Sequence, residues 1–222
     1  MARTVLGHQV PETLAERLDT GPAALLVIDL QNDFLDPEGY WPSRLGTSGL
    51  GRVVPAVNGL TAAARTAGIP VCFTLVSQLP DGGLASPVWI ADNLRNGAEP
   101  LHCMRETWGW RLVDELVVEP GDLLLEKYRR TAFEGTNLLS LLRSRGVRVL
   151  VVAGVAASGC VEATVRDAIE KDFFVVVPAD CVADGRPEQT EETVARFRRL
   201  VSPEAVTTST ELIGLWRQAA PA

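Results

Sequence analysis

Short apolar runs alternate with longer amphipathic stretches along most of the chain. Ala23–Leu30 (AALLVIDL) is nearly continuous in apolar residues, follows Gly21-Pro22 and gives way to polar residues. That is the pattern of a strand buried on both faces of a parallel sheet. Similar runs at Ile69–Ser77, Asp122–Glu126, Val147–Val155, Phe173–Pro178 and, more weakly, Ala205–Thr208 bring the expected strands to six. Helix-period segments lie between and after them: Arg52–Ala67, Thr136–Arg145, Ser158–Lys171, Thr190–Leu200 and Thr210–Gln218. The alternation predicts an α/β fold, a doubly wound, mostly parallel six-stranded sheet with helices on both faces.

Punctuation residues support these boundaries. Pro55 suits a first helical turn, where its missing N–H costs nothing, and Gly68 followed by Pro70 suits a helix end. Residues 1–22 read as an N-terminal extension with a short helix at Pro11–Asp19, to which no chemistry is assigned. From Gln78 to Gly109 no periodicity is sustained, although Trp89 and Trp108 fall there and Trp110 lies just beyond. A long irregular stretch in a compact domain is a binding loop or lid, or else packs on a neighbouring subunit. Residues 1–222 are expected to form one domain.

Composition narrows the partners. With 222 residues and 46% apolar content, the chain is long enough to bury about 70% of its unfolded surface. It carries 28 acidic and 21 basic side chains, a net charge of −7, and has no Lys/Arg-rich run. Nucleic acid, which needs a basic footprint, is not an expected partner. Met1–Val10 lacks the pattern of a secretory signal, and no apolar run approaches a membrane span, so a cytoplasmic protein without a membrane partner is expected.

Four cysteines, Cys72, Cys103, Cys160 and Cys181, stand far apart, which suggests neither a disulfide scaffold nor a zinc ribbon. His8 and His102 are the only histidines, too few for His-based metal chemistry, and neither a metal nor another cofactor is expected. Only Lys127 and Lys171 among the 21 basic residues are lysines. Where arginine fills nearly every cationic role, a lysine can mark a place that needs a compact ammonium.

Ligands of a doubly wound sheet bind beyond the carboxyl ends of the strands, where the strand order reverses. Asp29 ends the first expected strand, Lys127 ends the third, and Cys160 follows the fourth by a short turn of small residues, Gly154-Val155-Ala156-Ala157-Ser158-Gly159. With Ser158 as N-cap, the Cys160 thiol would fall in a first helical turn, where free N–H groups and the helix dipole favour a thiolate and the backbone can form an oxyanion hole. Asp29, raised in pKa by burial, would serve as the base, with Lys127 moderating its charge. Cys72 and Cys181 read as buried hydrophobes, whereas Cys103 is left open as a pocket residue. Each site residue alone has a bland reading, as a turn residue, a surface cation or a core thiol. Three complementary groups on one sheet edge are harder to read that way.

The motifs VIDLQNDF (Val27–Phe34), EKYRRTAFEGTNL (Glu126–Leu138) and GVAASGCVEATVRDA (Gly154–Ala168), in this order, resemble those of the isochorismatase-like cysteine hydrolases. The resemblance runs from Ala23 to Trp216 and implies a catalytic triad of Asp29, Lys127 and Cys160. It also implies a cis peptide at Val155–Ala156 and an oxyanion hole from the N–H groups of Ala156 and Cys160. Nicotinamidase-type members bind a metal through an Asp and two His after the second strand, and Ile69–Gly83 contains no His. Many relatives carry Thr at the position of Ala157. The isochorismate-cleaving branch can lack the cysteine, so Cys160 favours the amidase branch. Asp36–Tyr40 and Glu106–Gly109 look like the carbamoyl and ureido amidohydrolases, which act on N-carbamoylsarcosine, ureidoacrylate and biuret.

The resemblance therefore implies a cysteine-dependent hydrolase that cleaves a C–N bond of a small linear amide, carbamoyl or ureido compound. Phe34, Trp89, Trp108 and Phe133 are candidate pocket walls, and Arg129 and Arg130 are candidates for a substrate carboxylate. Relatives suggest a homodimer or homotetramer. Two other readings stay open: a vinyl ether hydrolase of the isochorismatase type that uses Asp29 without covalent catalysis, and a non-catalytic binding protein on the same fold. A redox role for Cys160 is weaker, because no resolving cysteine is near in sequence.

Overall fold

The computed structural model describes all residues except 1, 47, 48, 96, 98, 100 and 220–222. Six parallel strands carry the expected runs: β3 (Ala23–Ile28), β4 (Val71–Val76), β5 (Leu123–Lys127), β6 (Val149–Val155), β7 (Phe174–Pro178) and β9 (Val206–Thr207). Their spatial order is β5-β4-β3-β6-β7-β9, and a short strand β8 (Val182–Ala183) pairs with the end of β6. The sheet thus has seven strands rather than six; two residues carry too little pattern to register as a strand. The chain runs outward from β3 through β4 to β5, then returns to lay β6 on the other side of β3. The switch point lies between β3 and β6.

Side chains alternate across the sheet, as the pleat requires. Leu25, Val27, Val149, Val151 and Ala153 pack on one face, against Val57 and Leu60 of α4 (Val54–Thr66) and Leu212 and Trp216 of α9 (Ser209–Ala219). Ala24, Leu26, Ile28, Leu150 and Val152 pack on the other. There they meet α6 (Leu138–Ser144), α7 (Glu162–Glu170) and α8 (Pro187–Leu200) through Leu142, Val165 and Phe197. Burial on both faces explains why the strands read as unbroken apolar runs. Each fully buried Leu or Ile contributes about 1.5–3 kcal/mol.

Helix ends follow the expected chemistry. Pro55 sits in the first turn of α4, and Gly68, at φ 69°, lets the Ile69 N–H return to the Ala64 carbonyl at 2.8 Å. The N-terminal extension holds α1 (Leu14–Leu18), capped by a Thr13/Glu16 box, and an exposed hairpin of β1 (Arg3–Val5) and β2 (His8–Val10). The hairpin was not expected, since its residues bury nothing and leave no alternation to detect.

Two further short helices, α2 (Asn32–Leu35) and α3 (Tyr40–Leu45), follow β3. The 78–109 stretch is not irregular throughout, because Pro87–Arg95 forms α5. That helix is half exposed and buries little, which weakens its periodic signal.

Candidate active site

Asp29 stands at the tip of β3 with φ 52°, a left-handed conformation rare for a residue with a side chain. Thr74 of β4 fixes it: the Thr74 hydroxyl donates to Asp29 Oδ1 at 2.6 Å, and the Asp29 N–H lies 3.2 Å from Thr74 Oγ1. Across the switch point, Ile28 pairs in register with Gly154. A Cβ on Gly154 would come within 2.1 Å of the Ile28 carbonyl oxygen, so only glycine lets β6 pass so close to the base of Asp29.

Lys127, the last residue of β5, reaches back under this point. Its Nζ lies 2.8 Å from Asp29 Oδ2 and donates to the carbonyls of Arg129 at 3.0 Å and Arg130 at 3.1 Å. Both charged side chains are fully buried. Burial alone would lower the Lys127 pKa, but Asp29 and then Cys160 outweigh it and hold the ammonium above its ordinary range. Asp29 also acts on Cys160, so the carboxylate faces both the ammonium and the thiol.

Cys160 occupies the turn after β6. The Val155–Ala156 peptide is cis, and the chain then forms one π-helical turn, Ala157–Val161, ahead of α7. The Ala156 carbonyl accepts from the N–H groups of Gly159 at 3.0 Å and Val161 at 3.2 Å, one on each side of Cys160.

Ser158 is not the N-cap that the sequence suggested; Ala156 holds that position. The Ser158 hydroxyl and N–H instead donate to Asp184 Oδ1, at 2.8 and 2.9 Å, and Thr193 donates to Asp184 Oδ2 at 2.9 Å. Asp184 thus ties the turn to α8. Its only trace in the sequence is an acidic residue after an apolar pair.

The expected thiolate is also corrected. Burial pushes the Cys160 thiol up to about 12; Lys127 pulls it down and Asp29 pushes it further up, and burial dominates. The half-buried thiol faces both a carboxylate and an ammonium and is held above its ordinary range. It needs a base at the moment of attack rather than a standing negative charge.

Only some of the expected pocket residues gather here. Trp89 lines a cavity at the carboxyl ends of β4 and β5, together with Gln78, Met104 and Tyr128. Phe34 is buried one layer behind, edge-on to Trp41 and against His102. Phe133 stacks on Phe173 in the core, and Trp108 has its side chain in solvent (46% exposed) while its carbonyl accepts from Asn32. Arg129 donates to the carbonyls of Leu84 and Tyr128. Cys72, Cys103 and Cys181 are buried.

Gln31, Asn32 and Asp33 have a part that sequence reasoning missed. The Gln31 amide donates to the carbonyls of Val76 and Trp110 and accepts from the Val76 N–H. Asn32 donates to Trp108, and Asp33 accepts from the N–H groups of Cys103 at 2.6 Å and Tyr40 at 3.1 Å. Three consecutive polar residues just after a buried strand were the available signal. They stitch the 103–112 segment to the strand tip that bears Asp29.

Residues 23–211 match the isochorismatase domain family. The chain belongs to the isochorismatase family. Ureidoacrylate amidohydrolase RutB of Pseudomonas syringae pv. syringae (strain B728a) is 37% identical over 193 residues, covering 82% of this chain and 78% of that protein. A cysteine hydrolase from Pseudomonas syringae pv. phaseolicola 1448A superposes with a TM-score of 0.76 over 89% of this chain and 93% of its own. At 21% identity, that likeness speaks for the fold. N-carbamoylsarcosine amidase from Thermoplasma acidophilum superposes with a TM-score of 0.67 at 27% identity, over 85% of this chain and 97% of its own. Family membership accounts for the strand order.

Proposed function

We propose that this isochorismatase-family chain is an amidohydrolase that cleaves a C–N bond of a small amide, carbamoyl or ureido compound through Cys160. The observation that carries the reading is the convergence of Asp29, Lys127 and Cys160 at the switch point, with the buried Lys127 ammonium 2.8 Å from Asp29 Oδ2 and both groups acting on the Cys160 thiol. The ureidoacrylate amidohydrolase relatives and the N-carbamoylsarcosine amidase neighbour support the substrate class.

Asp29 takes the proton of Cys160 as the sulfur attacks the carbonyl carbon. The carbonyl π electrons move to oxygen, and the oxyanion is held by the backbone N–H groups of Ala156 and Cys160. The C–N bond then breaks, and the proton on Asp29 passes to the departing nitrogen. Water, deprotonated by Asp29, adds to the thioester or thiocarbamate and releases the acid, and the proton returns to sulfur. Lys127 stays charged throughout and stabilises the negative charge that moves from Asp29 to the attacking sulfur and oxyanion. No cofactor takes part.

The free state of all four cysteines suits a reducing, cytoplasmic setting. A homodimer or homotetramer is proposed, in keeping with the exposed apolar side chains Val117, Val118 and Leu124 on and before edge strand β5.

The test is ammonia or amine release from ureido acids, primary amides and isochorismate. Cys160→Ser and Asp29→Asn are each expected to abolish release, with the far-UV spectrum of Cys160→Ser unchanged. Turnover retained in Cys160→Ala would exclude the covalent route and favour a vinyl ether hydrolase.

A further inference from the structure

Cys160 and Lys127 come from elements that share no edge of the sheet. Lys127 ends β5, Cys160 follows β6, and β4 and β3 lie between those two strands. No ladder bond therefore fixes the separation of thiol and ammonium, although each acts on the other. That separation depends on how the segment after β5 seats on α7, the helix that opens just behind Cys160.

Thr164 of α7 is fully buried and joins the two. Its hydroxyl donates to the Cys160 carbonyl at 2.7 Å and accepts from the Ala132 N–H at 3.1 Å, the two roles a single hydroxyl can fill at once. A threonine bonded to the carbonyl four residues back is ordinary in a helix. The second bond is not of that kind, because it reaches a segment 32 residues away. Ala132 stands two residues beyond Arg130, whose carbonyl, with that of Arg129, accepts from Lys127 Nζ. One hydroxyl thus closes a path from the backbone of Cys160 to the carbonyls that hold the ammonium.

The same side of α7 grips this segment twice more. The Thr131 hydroxyl donates to Asp167 at 2.8 Å, Asp167 pairs with Lys171, and Lys171 Nζ lies 5.3 Å from the centre of the Phe133 ring. Thr164, Asp167 and Lys171 are spaced i, i+3 and i+7, which puts them along one helix face. Of the three, Thr164 is the one bonded to Cys160.

We infer that Thr164 is a positioning residue whose shared hydroxyl sets the separation of the Cys160 nucleophile and the Lys127 ammonium. This rests on the amidohydrolase reading above, in which the ammonium stabilises the charge that arrives on sulfur and oxyanion. Displacing a reacting group by about 1 Å costs on the order of 100-fold in rate, so a small shift of the segment after β5 is enough to register in turnover.

The experiment compares the full chain with Thr164→Val, Thr164→Ser and Thr131→Val in ammonia release from ureidoacrylate, N-carbamoylglycine and propionamide. On the compound that the wild type turns over fastest, Thr164→Val is expected to lose about tenfold or more in kcat with KM little changed, because substrate still binds but the transition state meets a displaced ammonium. Thr164→Ser keeps the hydroxyl and should keep most of the rate. Thr131→Val loosens the same segment without touching Cys160 and should lose far less than Thr164→Val. Where the valine variant does not accumulate folded, Thr164→Ala gives the same readout. An unchanged kcat in Thr164→Val, equal losses in the valine and serine variants, or an equal loss in Thr131→Val overturns this inference alone. Absence of Cys160-dependent release by the wild type from all three compounds overturns the amidohydrolase reading and this inference with it.

Discussion

Lys127 Nζ stands 2.8 Å from Asp29 Oδ2, with both side chains shut off from solvent. The pair joins the ends of two strands separated by β4, and each charge is tolerable only because the other is present. Lys127→Met should therefore lower unfolding free energy by about 3–5 kcal/mol, the cost of an uncompensated buried carboxylate. Adding Asp29→Asn should return much of that loss. Urea denaturation of the two single variants and the double variant measures the coupling, and strictly additive effects would contradict it.

Thr74 acts on the proposed reaction only through Asp29, whose Oδ1 accepts its hydroxyl at 2.6 Å. Thr74→Val removes that bond at nearly constant volume. A lost hydrogen bond to a charged group is worth about 1.5–3 kcal/mol, so kcat should fall roughly 10- to 100-fold with KM little changed. Thr74→Ser should retain most of the rate. Equal losses in both variants would mean that packing, not the hydroxyl, is at stake.

The buried thiols set the response to alkali. Burial raises Cys72 and Cys160 from about 9 to about 12, and raises Cys103 and Cys181 as well. Above pH 9 the unfolded chain releases these protons while the folded chain keeps them. The unfolded state then binds fewer protons, and stability must fall as pH rises. The contribution is full below pH 9 and is lost progressively between pH 9 and 12. Each thiol adds a slope of up to about 1.4 kcal/mol per pH unit. Cys72→Ala, remote from the proposed chemistry, should flatten the slope by about that amount in denaturation between pH 9 and 11. An unchanged slope would show that Cys72 ionises freely in the fold.

The clamp after β3 should govern the 103–112 segment. Asp33 takes the Cys103 N–H at 2.6 Å, and a Cβ on Gly109 would lie 2.3 Å from the Asp33 carboxylate. Asp33→Ala and Gly109→Ala should both speed amide exchange in this segment and raise KM several-fold, while exchange in β3 and β6 stays slow. Unaltered exchange at Cys103 would remove the clamp from the account.

The sequence by itself determined the doubly wound sheet, because strands buried on both faces must be continuously apolar and the helices between them must show a 3.6-residue period. It also marked Asp29, Lys127 and Cys160, since polar residues interrupt such runs only where the strands end. Beyond its reach were the elements that bury little: the exposed hairpin, the two-residue β8 and α5. The electrostatic state of the site was also out of reach. A strand-to-helix turn suggests a thiolate, but desolvation outweighs the single ammonium and raises the thiol.

Tertiary structure alone decided which aromatic side chain lines the cavity. Phe34, Phe133 and Trp89 are equally apolar in sequence, and only packing sends the first two into the core and leaves Trp89 beside Gln78. It likewise decided that Gln31, Asn32 and Asp33 hold a segment 70 or more residues away. Hydrogen bonds between distant residues leave no period in the chain, so only the folded geometry can reveal them.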